Sequence, residues 1–158
     1  MKPKIYIETS VISYLTARLS NDLIVAAHQK ITYEWWDNRR VEFDLYTSEL
    51  VLEEAGRGDP QAASKRLQVL QDIPLLESKI EALKLAKTFL YQQHILPEKA
   101  REDALHIAIA ITGGMDYLLT WNCKHIANAE NQQVITNLSH QAGYNMPILC
   151  TPELLMGG

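Results

Sequence analysis

The sequence predicts an α/β fold in which a parallel sheet is covered by helices on both faces. Two observations carry this. Short apolar runs rich in β-branched residues alternate with longer stretches of helical spacing along the whole chain. One of those stretches, from Ala104 to Thr112, is apolar all round, and such a helix lies buried. The chain of 158 residues, 47% hydrophobic and 22% charged, suits one domain spanning 1–158 with a sizeable core. It contains no internal repeat, linker or low-complexity segment.

The first element is the run Ile5-Tyr6-Ile7, which ends abruptly in Glu8, Thr9 and Ser10. This reads as a strand entering a short helix over Val11–Arg18, with Ser10 as its cap. Asp22 caps a second helix, reaching Asn38, with Ile24, Ala27, Ile31 and Trp35 at helical spacing. Of the adjacent Trp35 and Trp36, only one can enter the core. Phe43–Thr47 is the second strand, and Ser48 opens a helix through Glu54 that Gly56 and Gly58 end. Asp59-Pro60 starts another, carrying Ala63, Leu67 and Leu70. Ile73-Pro74-Leu75-Leu76 is short and broken by proline, so it reads as an extended connector or edge.

Ser78 begins a longer helix marked by Ile80, Leu83, Leu90 and Tyr91, which His94-Ile95-Leu96-Pro97 breaks. Pro97 then starts the helix Glu98–Thr112, charged in its first turns and apolar afterwards. Asp116–Thr120 is a strand, Trp121–His125 a turn into a short helix, Asn131–Ala142 a helix, and Pro147–Cys150 the last strand.

No apolar run is long enough to span a bilayer, and the N-terminus lacks the apolar stretch of a signal peptide, which points to the cytoplasm. The net charge of −4 argues against a broad electrostatic nucleic-acid binder. An acidic metal site bordered by Arg39, Arg40, Arg57 and Lys124 remains compatible with it. Cys123 and Cys150 form no metal or redox motif.

Four polar points mark the chemistry. Glu8 ends the first strand, at the edge where parallel α/β sheets build their sites; a plain helix-capping acid is the alternative. Glu54 lies on the side of its helix nearer the packed face, whereas Glu53 reads as solvated. Asp103 stands where its helix turns apolar, so its carboxylate needs a partner, a proton or a metal; an ion pair with Arg101 or Lys99 is the plain alternative. Asn122 follows the Leu118–Thr120 strand, at the same edge as Glu8, where it also reads as a turn asparagine. Thr9, Ser48 and Thr120 fall near this edge. Clustered carboxylates repel, and a divalent cation removes that cost. Oxygen ligands without a His or Cys set favour Mg²⁺ or Mn²⁺, which commonly serve phosphoryl chemistry. His106, His125 and His140 are scattered, and His106, on the buried helix, reads as a satisfied core residue. No P-loop, dinucleotide fingerprint or zinc motif is present.

Taken together, Ile5–Ser10, Ser48–Gly58, Glu102–Ala108 and Leu118–Asn122 resemble, in order, the four motifs of PIN-domain nucleases, and most closely VapC-type toxins of toxin–antitoxin pairs. The resemblance implies a three-layer α/β/α sandwich and a metal-dependent endoribonuclease, with Glu8, Glu54, Asp103 and Asn122 as catalytic and metal-holding residues around Mg²⁺ or Mn²⁺. It also implies RNA as substrate, a homodimer and a small antitoxin partner. Two positions depart from the pattern: Glu8 replaces the usual Asp, and Asn122 stands where an acid is common. Those departures define the alternative, a catalytically weakened module that binds protein or RNA. A metal-dependent phosphatase acting on small substrates is a third reading.

Overall fold

The computed structural model describes residues 1–92 and 95–158. Among these, five strands form one all-parallel sheet in the order β3-β2-β1-β4-β5, flanked by seven α-helices. The strands are β1 Lys4–Ile7, β2 Asp44–Ser48, β3 Leu75–Leu76, β4 Tyr117–Leu119 and β5 Ile148–Cys150. The helices are α1 Thr9–Thr16, α2 Leu23–Asn38, α3 Glu49–Ala55, α4 Pro60–Leu70, α5 Ile80–Lys87, α6 Arg101–Thr112 and α7 Ala129–Gln141. The strand order runs outward from β1 to β3, then returns across the sheet to β4 and β5. Right-handed crossovers therefore put α1 to α4 on one face and α5 to α7 on the other. This gives three layers, and the direction in which strands are added reverses between β1 and β4.

The register sets the level of each strand end. Ile5, Tyr6 and Ile7 pair with Tyr117, Leu118 and Leu119, while Tyr6 pairs with Tyr46 on the other side. Glu8 and Thr120, just past the ends of β1 and β4, and Ser48, the last residue of β2, thus lie at the carboxyl edge. β1 is buried from Ile5 onward because both of its neighbours and both helical layers cover it. Of Ile73–Leu76, the last two residues form the edge strand β3.

Several elements differ from expectation. α1 begins at Thr9, and its cap is Glu8, whose carboxylate accepts the Ser10 amide, rather than Ser10. α2 buries Gln29, Thr32 and Trp35, while Ile24 is 70% exposed. Hydrogen bonding makes this polar stripe tolerable, because the Gln29 amide donates to the Arg18 carbonyl and accepts from the Ser20 amide. Trp35 is in the core, and Trp36 sits half-buried under the Arg40 guanidinium.

α5 likewise turns a different face inward. Ala82, Leu85 and Ala86 are buried while Ile80 and Leu83 stay exposed. Small alanines allow close approach to α6. α5 continues as a π-helical turn, Thr88–Gln92, and the expected break falls partly at His94, outside the described residues. A 3₁₀ turn, Glu98–Ala100, precedes α6, which is buried from Ala104 to Ile111 except for half-buried Leu105. The short helix expected near His125 is a hydrogen-bonded turn over Asn122–Ala127, and α7 starts at Ala129. No helix among the described residues is long and apolar enough to cross a membrane.

Candidate functional site

The polar site is built at the carboxyl edge where the strand order reverses, the place where open parallel sheets leave a crevice. Glu8 is buried there at 5% exposure. Its Oε1 accepts from Ser10 Oγ at 2.5 Å and Thr120 Oγ1 at 2.6 Å, and its Oε2 from the Ser10 amide at 3.1 Å. The Glu8–Thr120 bond spans the gap between β1 and β4. Ser10 Oγ also accepts the Trp121 amide at 2.8 Å, which ties the loop after β4 to α1.

Glu54 arrives from the far end of α3. Thr9 Oγ1 donates to its Oε1 at 2.5 Å, and His106 Nε2 lies 2.6 Å from the same oxygen. His106 is fully buried on α6 and contacts the Tyr6 hydroxyl through Nδ1 at 2.7 Å. Tyr6 in turn pairs with Ser48 Oγ at 2.7 Å. One continuous line, Ser48–Tyr6–His106–Glu54–Thr9, crosses from β2 through β1 to both helical layers. Glu8, Glu54 and His106 each bring a ligand atom within 4.8 Å of the others.

The electrostatics follow from this packing. Burial pushes the Glu54 carboxyl up, but the bond from His106, the neighbouring Glu102 carboxyl, the His106 charge and Thr9 outweigh it and hold its pKa at about 2. Burial pushes the His106 imidazole down, yet the bond to Glu54 and the charges of Glu8, Glu54 and Asp103 raise it above its ordinary value. As an imidazolium, His106 donates from both nitrogens, to Glu54 and to Tyr6. Burial raises the Tyr6 phenol, so that hydroxyl stays protonated. Glu102 is raised first by its hydrogen-bonding contact with Glu54, while Arg57 Nη1, 3.0 Å from its carboxylate, opposes the rise.

No family model matches this chain, and no curated protein does. The assignment of roles rests on the geometry.

Of the four residues singled out in the sequence, Glu8 and Glu54 converge. Asp103, one turn before His106, stands outside that trio: its Oδ2 binds His125 Nδ1 at 2.9 Å, and Arg101 pairs with Glu98 instead. Asp103 is still near enough to raise the His106 pKa. Asn122 lies beside Thr120 as expected, but its Oδ1 accepts the His125 amide at 3.0 Å and so organises the turn. Arg57 borders the site through Glu102, whereas Arg39 and Arg40 precede β2 and lie at the opposite edge.

Sequence reasoning gave no site role to Tyr6, His106 or His125. The three-residue spacing of Asp103 and His106, which puts both on one side of a helix, was the available signal. Nothing local marks Tyr6, because its hydroxyl acquires a role only when β2 and α6 pack against β1.

Glu8, Glu54 and His106 could together hold a cation, each offering one ligand atom. Thr9 and His106 both occupy Oε1 of Glu54, and Glu102 also contacts that carboxylate. His106 suits the task of orienting Glu54, since the 2.6 Å contact needs a proton on Nε2.

Proposed function

We propose that this chain is a PIN-like, metal-dependent endoribonuclease that works in the cytoplasm as the toxin of a toxin–antitoxin pair. It acts as a homodimer and is silenced by a small antitoxin. The observation that supports this best is the convergence of Glu8, from the end of β1, and Glu54, from the end of α3, at the carboxyl edge where the strand order reverses. Glu8 and Glu54 would hold Mg²⁺ or Mn²⁺, with Asp103 assisting from the next turn of α6 and Asn122 ordering the turn that carries His125. The bound ion supplies a water of lowered pKa and a counter-charge for phosphate oxygens.

The chain's own groups do the rest. Ser10 and Thr120 fix one carboxylate rotamer of Glu8, and Thr9 and His106 fix that of Glu54. Precise ligand placement of this kind is what outer partners contribute at metal sites. His125, held by Asp103 through Nδ1, would offer its other ring nitrogen to substrate oxygens. Arg57 and Lys124 meet the RNA backbone, which positions the strand without reading its sequence.

A second reading, a module that binds a partner without cleaving, is favoured by one feature. Glu8 already accepts three hydrogen bonds and Asp103 one from His125, so both carboxylates are partnered by the protein itself.

Cleavage of an RNA panel that includes structured tRNA, in Mn²⁺, Mg²⁺ and EDTA, separates the two. The nuclease reading expects cleavage that needs the cation and is lost in Glu54→Gln and Asp103→Asn proteins that remain folded. A folded protein with neither cleavage nor a cation-dependent rise in Tm overturns it in favour of the binding module.

A further inference from the structure

Beside the carboxylates, three aromatic rings from three different elements lie nearly parallel. His28 of α2 stacks on Trp121 with centroids 4.1 Å apart and planes 13° apart. Tyr14 of α1 lies 5.9 Å from Trp121 at 23° and 6.4 Å from His28 at 20°. We propose that Tyr14, His28 and Trp121 form a stacking subsite for one nucleobase of single-stranded RNA, beside the Glu8–Glu54 cluster. This deepens the ribonuclease reading and rests on it.

Three features separate this cluster from ordinary core packing. All three rings keep some solvent exposure, unlike Trp35, which is wholly buried, and Tyr14 and His28 stand outside the main core. Core aromatic pairs here adopt tilted or edge-on geometry, as Trp35–Phe43 at 35° and Phe43–Tyr117 at 89° do. The near-parallel rings instead present π-faces in one orientation, which matches what a planar base needs.

The indole is also held in place. Its Nε1 donates to Thr32 Oγ1 at 2.8 Å, and Thr32 donates to the His28 carbonyl at 2.7 Å, so ring and helix are locked together. Its backbone amide donates to Ser10 Oγ, the hydroxyl that also binds Glu8. Two hydrogen bonds therefore connect the platform to the carboxylate, a separation within the reach of one nucleotide. A platform fixed before binding loses little freedom when a base settles on it. Stacking tolerates every base, so the subsite gives affinity and register rather than sequence preference.

The test uses a short single-stranded 2′-O-methyl oligoribonucleotide and a series in which one base at a time is replaced by an abasic unit. Binding is followed by fluorescence anisotropy, and cleavage of the unmodified RNA is assayed in parallel. One abasic position is expected to weaken binding to the wild-type protein by about 10-fold, within the range for a lost base–aromatic stack. That penalty disappears in His28→Ala and Trp121→Leu, and Trp121→Phe, which keeps a ring, retains it. His28 is partly exposed, so His28→Ala reports even where Trp121→Leu fails to fold. Cleavage by the wild-type protein with no abasic penalty at any position overturns the subsite and leaves the ribonuclease reading standing. A penalty that survives in His28→Ala and Trp121→Leu overturns it as well. Neither binding nor cleavage overturns both.

Discussion

Replacing His106 by Leu removes the buried imidazole beside Glu54 while roughly preserving side-chain volume. The Tyr6 hydroxyl keeps Ser48 as a partner, and Glu54 keeps Thr9, so the loss falls mainly on the 2.6 Å His106–Glu54 contact. The Glu54 pKa drops from 4.5 to about 2 on folding. At about 1.4 kcal/mol per unit this is worth about 3 kcal/mol. His106 is the strongest of the groups that lower it, and the Glu54 side chain is only 18% exposed. After allowance for solvent screening, the pair contributes about 2 kcal/mol. For a domain of this size that corresponds to a fall in Tm of about 4–8 °C.

The pH dependence of the wild-type protein gives a sharper signature. The lowered Glu54 pKa stabilises the fold fully above pH 4.5, and that contribution is lost as pH falls towards 2. The raised His106 pKa stabilises it fully below pH 6.5, and that contribution is lost as pH rises through the raised value. Between 4.5 and 6.5 both charges are present, so the pair contributes most there. Urea unfolding in EDTA, followed by tryptophan fluorescence across this range, measures it. In His106→Leu the plateau should sink and its alkaline decline should flatten. A stability loss below about 0.5 kcal/mol, or an unchanged pH profile, would refute the charged-pair account.

Three further outcomes follow from other contacts. Ser10→Ala removes a donor to Glu8 and leaves the Trp121 amide without its acceptor, and should cost about 1–2 kcal/mol in chemical denaturation. A Cβ at Gly113 would stand 2.9 Å from the Ile109 carbonyl oxygen, which the helix backbone cannot withdraw, so Gly113→Ala should lose about 1–3 kcal/mol although its φ is ordinary. Thr120→Val keeps the shape but loses the 2.6 Å bond to Glu8, and calorimetric titration should show Mn²⁺ affinity reduced by about 10- to 100-fold. Equal Mn²⁺ affinity in the two proteins would remove Glu8 from the metal site.

The sequence by itself determined the alternation of strands and helices, the caps at Asp22, Ser48 and Asp59, the buried run of α6 and the position of Glu8 at a strand end. These are local: each depends on residues within a few positions, through periodicity or a side chain meeting a nearby amide. Glu8 and Glu54 were legible as candidates because an acid at the end of an apolar run, or on the packed side of a helix, stands out against its neighbours.

Tertiary structure decided what those acids touch. Strand order alone brings Thr120 within 2.6 Å of Glu8 across 112 residues, and packing of α6 on β1 delivers His106 to Glu54 in the place where Asp103 was expected. α2 and α5 show the same division. Their helical character was readable, but the choice of face was not, because Gln29 and Thr32 become tolerable inside only once the partners that satisfy them are in place. Trp121 makes the point at the site itself. In sequence it is one turn residue; folded, its ring is held by α2 and its amide by α1, beside the carboxylates.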